Sequence, residues 1–394
     1  MLKKHHSRIA NDCDILVSMK PIVLFFQSTH AKSWKDKLTG VYDYAEKSGW
    51  QIQVIEAGSD TGTIRDALQK WNPIGCLVDR GLQNGRPPIR LFTGIPVVFL
   101  DQNPANAGNC TTLTHNSAAS VILAAEEFLR IGLPRLAYVA WNKPCFWSQE
   151  RQRAFDTYTR KRHVEARVII LSGRIETDLR ELPKPCGVVC VNDLAAQKVM
   201  SEATHAGIAI PDELAVIGID DDAFICEHTQ PPLTSVDPGF VDAGYQLASL
   251  LHKRISNPRT PHRHETYGPK VLIRRESSRW LPKVDCRARE AIEYIRRNFS
   301  DPDLSVAGVV AHMGCSRSLA DLLIRRATGS SLMTEILSAR LDHAYKLLRN
   351  PRQAIDAIPM LCGYRSIPFF KRIFKRETGL TMREWRKRNV TSRS

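Results

Sequence analysis

The sequence predicts an α/β protein of two lobes, each with a parallel sheet covered by helices on both faces, followed by an all-α domain. Three observations support this fold class. Short runs rich in β-branched residues alternate with amphipathic helical patterns from residue 21 to about residue 277. The alternation forms two consecutive series, and from residue 287 onward the patterns are helical only. We therefore predict two doubly wound lobes ahead of a helical C-terminal domain.

The first series begins at residue 22 and the second at residue 136. An alanine-rich helix after Asn116, ending near Ile131 ahead of Gly132, connects them. Alternation of strands and helices favours parallel sheets. The predicted strands are residues 22–26, 51–55, 75–78, 97–100, 136–140, 168–171, 187–191 and 214–219, and the predicted helices are residues 34–47, 64–71, 148–161 and 194–206.

The composition is that of a folded protein with a basic C-terminal part. The chain has 394 residues, of which 43% are hydrophobic and 25% charged, so disorder is excluded as its dominant state. Its net charge is +15, and residues 285–394 hold 21 Lys and Arg against 11 Asp and Glu, a surplus of ten. An excess of this size predicts a polyanionic partner, either nucleic acid or an anionic membrane surface.

The N-terminal region and the cysteines bear on the compartment. Residues 1–20 show no periodicity and are predicted to be a disordered tail, with Met19 as an alternative start. The apolar stretch at residues 21–26 is too short for a signal sequence or a membrane span. The ten cysteines are scattered without a C-x-x-C pair, which is typical of reduced thiols. We therefore predict a cytoplasmic protein with no metal and no cofactor.

Polar residues follow the strands of the second series. Asn192 and Asp193 come directly after the predicted strand at residues 187–191, and Asp220 follows the strand at residues 214–219. The helix after the strand at residues 136–140 opens with Trp147 and Arg151. Ligands of open α/β sheets bind beyond the carboxyl ends of the strands. Carboxylate, amide and guanidinium groups can bond adjacent hydroxyls in pairs, and an indole can pack the C–H face of a sugar ring. This pattern predicts a cleft for a neutral polyhydroxylated ligand.

Each of these residues also has a purely structural interpretation. Asp193 could be a helix N-cap, residues 220–222 a solvated turn and Arg151 a surface residue of its helix. Trp147 could belong to the core. Spacing alone does not decide between these alternatives.

Four segments together resemble the effector domain of lac-repressor-type regulators, which shares the fold of periplasmic sugar-binding proteins. They are residues 151–155, which match the pattern R-x-x-G/A-F, and residues 191–196, 215–221 and 231–236. The resemblance covers about residues 21–277 and implies that Arg151, Asp193 and Asp220 contact a sugar. Such regulators normally begin with a DNA-binding headpiece, for which a first strand at residue 22 leaves no room.

The basic region repeats one pattern twice. A short helix, a glycine turn and a serine-started helix rich in Lys and Arg occur about 50 residues apart, on either side of a long amphipathic helix at residues 333–349. This predicts two helix-turn-helix units in a domain at residues 287–390, joined to the body by a linker at residues 278–286. The predicted helices are residues 288–298, 305–312, 317–327, 333–349, 353–361 and 366–377.

The second unit resembles the DNA-binding domain of AraC-type transcription regulators, through Gly363-Tyr364-Arg365-Ser366, residues 369–376, residues 378–381 and Trp385-Arg386. The resemblance implies that the second helix of each unit enters a major groove of DNA, with the two grooves about 34 Å apart. The residues predicted to face DNA bases are Arg317, Ser318, Asp321, Ser366, Pro368, Phe369 and Arg372. Lys371, Lys375, Arg376 and Arg386 are predicted to neutralise phosphates, and Arg325 is assigned to the same surface.

Three features depart from the AraC-type pattern. Pro359 falls inside the predicted helix at residues 353–361, where a proline costs about 3 kcal/mol and should kink the helix. Met382 replaces the usual proline that opens the last helix. In the first recognition helix, Leu319-Ala320 reverses the common order of a polar residue followed by leucine.

The order of the two domains resembles that of regulators of the xylose-operon type. It implies a sugar-responsive transcription regulator, and we favour the hypothesis that it activates genes of pentose catabolism. The expected partners are an operator in double-stranded DNA, a pentose-like sugar, a second copy of the chain and, for an activator, RNA polymerase. The alternatives are a different sugar, a repressor, a sugar-binding receptor or a carbohydrate-active enzyme. No nucleophile–base or metal-ligand spacing accompanies Asp220 and Asp221, so we expect no enzymatic activity.

Overall fold

The computed structural model describes residues 20–27, 32–56, 60–80, 85–172, 175–280, 286–350 and 352–389. The predicted tail, apart from Lys20, and residues 281–285 of the predicted linker lie outside these described residues. No helix in the described part of the chain combines the length and the hydropathy that a membrane span requires.

The first lobe is a six-stranded parallel sheet with helices on both faces, as predicted. Side chains alternate along its strands: Val23 and Phe25 pack under one pair of helices, whereas Leu24 and Phe26 pack under a helix on the opposite face. Burial on both faces explains the unbroken apolar run at residues 22–26. In sheet order the strands are β11 (His264–Tyr267), β5 (Thr111–His115), β4 (Val97–Leu100), β3 (Gly75–Asp79), β1 (Ile22–Gln27) and β2 (Gln51–Glu56), and the helices are α1 (Lys32–Ser48) and α8 (Phe240–Ser256) on one face and α2 (Thr61–Trp71) on the other.

The second lobe repeats this architecture around one large core. Its strands, in sheet order, are β12 (Val271–Ile273), β10 (Thr234–Asp237), β9 (Leu214–Ile219), β8 (Cys186–Cys190), β6 (Arg135–Trp141) and β7 (Glu165–Leu171). Its helices are α3 (Ser117–Arg130), α4 (Phe146–Lys161), α5 (Ile175–Glu181), α6 (Asp193–His205) and α7 (Ala223–His228).

One edge strand corrects the expectation of purely parallel sheets, because β12 runs antiparallel to β10. The chain reaches β12 from the first lobe, after β11, and so enters it at the end where β10 leaves the second lobe. It can then run only in the opposite direction.

Within the described residues, the chain crosses between the lobes three times. The crossings follow His115 at the end of β5, Asp237 at the end of β10 and Tyr267 at the end of β11. Gly268, in the third crossing, has a φ of +62°, and a Cβ there would lie 2.2 Å from the carbonyl oxygen of Pro238 in the second crossing. The hinge segments therefore pack against each other so closely that only glycine fits.

The C-terminal domain is helical and contains two helix-turn-helix units with separate cores, as predicted. The long helix α12 joins them, since Leu332 and Ile336 pack in the first core whereas Leu341 and Leu348 pack in the second. Its helices are α9 (Cys286–Asn298), α10 (Val306–Met313), α11 (Arg317–Thr328), α12 (Leu332–Arg349), α13 (Ile358–Leu361), α14 (Ile367–Thr378) and α15 (Met382–Asn389).

The helix predicted at residues 353–361 is not continuous. A 3₁₀ turn at Ile355–Ala357 precedes the short helix α13, and Pro359 lies in the first turn of α13. An N–H in a first turn has no partner within the helix, so proline loses no hydrogen bond there. The expected cost of an interior proline is thereby avoided. Met382 is buried beside Trp385 and contributes to the second core.

Candidate functional site

A cavity of about 400 Å³ lies between the lobes, at the carboxyl ends of their strands. All five residues predicted to contact a ligand line it, and all five belong to the second lobe: Trp147, Arg151, Asn192, Asp193 and Asp220. The first lobe contributes residues that sequence reasoning did not assign to the site, among them Lys37, Asp79, Asp101, His115 and Tyr267.

Arg151 is held on several sides and is not a surface residue, since it is only 3% exposed. Its Nη1 donates to the carbonyl oxygen of Val191, at the end of β8, and its Nη2 lies 3.1 Å from Nδ1 of His115. The guanidinium also lies over the ring of Trp147, 4.6 Å from the centroid, and 3.9 Å from Oδ1 of Asp220. Trp147 and Arg151 meet because residues four apart share one face of α4.

Asn192 and Asp193 have distinct roles at the start of α6. The cap is Asn192, whose Oδ1 accepts the N–H of Ala195 at 3.0 Å. Asp193 is 1% exposed and accepts the Ser235 hydroxyl at 2.5 Å and the N–H of Asp222 at 2.7 Å. Burial, with Asp220 nearby, raises the pKa of Asp193 to about 7. Asp193 lies in the wall of the cavity and, through the N–H of Asp222, stabilises the turn at residues 220–222.

That turn has an uncommon backbone conformation. Asp220 and Asp221 have φ values of +122° and +47°, a region that side chains other than glycine rarely adopt. Asp220 faces the cavity, whereas Asp221 bonds Arg275 at 2.9 Å and also Arg349 of α12. The contacts of Asp193 and Asp221 hold the turn in place, and the turn is not simply solvated.

The first lobe contributes a buried charge cluster. Nζ of Lys37 lies 2.6 Å from Asp101 and 3.6 Å from Asp79, and the Tyr267 hydroxyl donates to Asp101 at 3.2 Å. Burial alone would lower the pKa of Lys37, but the two carboxylates raise it well above its usual value. The pKa of His115 is well below its usual value because of burial and because Arg151 and Lys37 are cationic.

Part of this cluster carried a usable sequence signal. Asp79 ends β3 and Asp101 follows β4, so the strand-end argument that selected Asp193 and Asp220 applies to them as well. Lys37 lies inside an amphipathic helix and has no local signal, whereas His115 ends β5, a strand of mixed polarity that the sequence pattern did not predict.

Apart from Arg376 and Arg386, ten residues are predicted to contact DNA, and all ten lie in the C-terminal domain. Asp321 is half-buried and the other nine are exposed. Three of them form ion pairs within this domain: Arg317 and Asp321 with each other at 3.1 Å, and Lys371 with Asp356 at 2.7 Å. The set comprises Arg317, Ser318, Asp321 and Arg325 in α11, Ser366 at the cap of α14, and Pro368, Phe369, Lys371, Arg372 and Lys375 within α14.

Two of the residues predicted to contact DNA also make hydrogen bonds within the domain. The Ser366 hydroxyl accepts the N–H of Phe369 and so caps α14, as Ser316 caps α11. The phosphate contact of Arg386 stays a prediction, and part of its guanidinium is bound within the domain. Its Nε donates to the carbonyl oxygen of Leu348 at 3.0 Å, and burial lowers its pKa.

Comparison with known proteins gives the same two parts. Residues 125–278 match the periplasmic binding protein-like domain family, and residues 309–388 match a helix-turn-helix domain family. The xylose operon regulatory protein of Escherichia coli is 25% identical over 388 residues, which is 93% of this chain and 96% of that protein. This chain has the architecture of a xylose-operon regulator.

Two further comparisons agree with that architecture. The xylose operon regulatory protein of Haemophilus influenzae is 28% identical over 284 residues, covering 69% of this chain and 73% of that protein. The solved structure of a xylose-binding transcription activator is 22% identical, with a TM-score of 0.57, and covers 94% of this chain and 98% of the other. The similarity in fold therefore extends over both the two-lobed α/β domain and the helical C-terminal domain.

Proposed function

We propose that this protein is a sugar-responsive, DNA-binding transcription regulator that activates genes of pentose catabolism, with xylose or a close relative as its effector. The observation that carries the proposal is the pairing of an inter-lobe cavity, walled by guanidinium, carboxylate and indole groups, with two exposed basic helices in the same chain. The similarity to xylose operon regulatory proteins supports the choice of sugar.

The cavity suits a neutral sugar. Asp220 can accept hydrogen bonds from sugar hydroxyls, and Arg151 can donate hydrogen bonds to hydroxyl oxygens. Trp147, packed edge-to-face on Trp141, supplies an apolar wall. Among the described residues that line the cavity, five carboxyl groups face two basic side chains, Lys37 and Arg151. An acidic or phosphorylated sugar would meet repulsion there.

The C-terminal module supplies the DNA-binding half. Its recognition helices α11 and α14 each begin at a serine cap and expose Arg and Lys side chains. We place the regulator in the cytoplasm as a homodimer on an operator, in contact with RNA polymerase when it activates. A sugar shifts such a regulator only through its different affinity for the two states of the protein.

The test is a thermal-shift screen of neutral pentoses, hexoses and disaccharides. We expect one pentose to raise the melting temperature of the wild type and of Asp66→Ala, an exposed control on α2, but not that of Asp220→Ala. The proposal would be contradicted if no sugar raised the melting temperature of the wild type, or if a sugar raised the melting temperatures of all three proteins equally.

A further inference from the structure

We propose that His115 is a positioning residue, which orients Arg151 for the sugar and ties its guanidinium to the hinge between the lobes. The proposal rests on the function above, in which Arg151 contacts the sugar. His115 ends β5 of the first lobe, whereas Arg151 lies on α4 of the second lobe. The hydrogen bond between them therefore joins the two lobes inside the cavity.

The chemistry of this hydrogen bond assigns the protonation of His115. A guanidinium can only donate, so Nδ1 of His115 must accept from Nη2 of Arg151, which lies 3.1 Å away. The ring proton is then on Nε2, which lies 2.9 Å from the Ser120 hydroxyl. His115 is thus neutral, in agreement with the lowered pKa that its burial and its cationic neighbours produce.

His115 also lies where the three crossings meet. Its own peptide N–H donates to Asp101 at 2.9 Å, within the first-lobe cluster. Its ring is 5.3 Å from the ring of Tyr267, next to the third crossing, and 6.5 Å from that of Phe240, next to the second. A Cβ on Gly268 would come within 3.3 Å of its Cδ2.

Because His115 belongs to the first lobe and Arg151 to the second, a rotation of the lobes changes the geometry of the hydrogen bond between them. In the described arrangement His115 and Val191 hold Arg151 from opposite lobes, with Nη2 turned toward Asp220. Loss of the acceptor at Nδ1 leaves a buried guanidinium N–H without this partner and frees the side chain to reorient. The position of a group that contacts the sugar thus depends on the angle between the lobes.

Two substitutions separate positioning from packing. His115→Asn places an amide oxygen where Nδ1 was, and so keeps an acceptor for Arg151, although it loses ring packing. His115→Phe keeps a ring between Tyr267 and Phe240 but removes the acceptor. A residue needed only for packing would tolerate Phe better than Asn, and a positioning residue would show the reverse.

The experiment is calorimetric titration of D-xylose into the full-length wild type and both variants. We expect His115→Phe to weaken binding about tenfold or more, and His115→Asn to restore most of the affinity. Equal affinities for all three proteins, or stronger binding by His115→Phe than by His115→Asn, would overturn the proposal. Melting temperatures measured alongside show whether each variant is folded.

A measurement without sugar separates this inference from the proposed function. The ¹⁵N spectrum of the imidazoles should show His115 neutral at pH 7 with its proton on Nε2, and a proton on Nδ1 would refute the contact with Arg151. If the wild type fails to bind D-xylose, that result contradicts the effector proposed above. The ¹⁵N spectrum still tests the contact between His115 and Arg151, because it needs no sugar.

Discussion

Glu127, on α3 of the second lobe, is bound by two arginines. Its carboxylate accepts Nε and Nη2 of Arg274 at 2.7 and 2.8 Å, and Arg130 at 2.9 Å. The carboxylate is only 6% exposed. Burial alone would raise its pKa, but these hydrogen bonds and charges lower the pKa to about 2. The folded-state pKa thus lies below the unfolded value, so the stabilisation is present above about pH 4.5 and is lost as the pH falls toward 2.

Replacement of Glu127 should accordingly have a pH-dependent cost. We expect Glu127→Gln to lower the free energy of unfolding at pH 7 by at most about 3 kcal/mol, since both arginines are partly exposed and water screens the pair. Urea unfolding at pH 7, 5 and 3.5 should show the difference from wild type shrinking as the pH falls. Glu126→Gln, an exposed neighbour, is the control, and a difference that stays constant with pH would contradict the argument.

Residues with a local signal could be predicted, and those without one could not. Trp147 and Arg151 are four apart on one helix, and Asp193 and Asp220 follow buried strands. His115 and Lys37 become site residues only through Arg151 and Asp101, which are 36 and 64 positions away in the chain. No periodicity encodes such a pairing.

Among the elements, α13 shows how context changes the cost of a residue. Pro359 lies in the first turn of this short helix, where its missing N–H has no helical partner. We expect Pro359→Ala to leave the free energy of unfolding unchanged or to lower it by up to about 1 kcal/mol, because the unfolded chain becomes more flexible. A stabilisation of about 3 kcal/mol in denaturant unfolding would show instead that the proline strains a helix interior.

Two of the four strands that were not predicted, β5 and β11, share a sequence character. β5 is fully buried yet reads Thr-Thr-Leu-Thr-His, and β11 reads His-Glu-Thr-Tyr, so neither has an apolar run. Both form because each completes the hydrogen bonds of a neighbouring strand: β5 pairs with β4, and β11 with β5. Such pairing is a property of the assembled sheet and not of the segment.

At the scale of the molecule, the DNA-binding module packs against the second lobe. Arg279 bonds Asp342 of α12 at 2.9 Å, and Arg130 donates to the carbonyl oxygen of Thr328 at the end of α11 at 3.0 Å. Arg349 of α12 bonds Asp221, the neighbour of Asp220. The turn that presents Asp220 to the cavity therefore also contacts the helix that joins the two helix-turn-helix units.

The uneven charge of the chain predicts different salt responses for its two ligands. For a duplex selected from random DNA for tight binding, affinity should fall about a thousandfold or more between 50 and 200 mM salt, if six or more phosphates are neutralised. Sugar affinity should hardly change, because the proposed ligand is neutral. Lys375→Ala should reduce the slope of log affinity against log salt by about one. Lys198→Ala, an exposed lysine of the second lobe, should leave it unchanged, and an equal effect of both variants would contradict this assignment.

The sequence by itself determined what short-range patterns encode. These are the two α/β lobes, the paired helix-turn-helix units, the basic domain at residues 287–390 and the polar groups of the second lobe at the ends of its strands. Only the tertiary structure decided which first-lobe groups face them, which way β12 runs, and that His115 meets Arg151 at the hinge. Those features depend on three crossings that bring together segments about 120 to 150 residues apart, and burial and hydrogen bonding select such contacts only in the assembled fold.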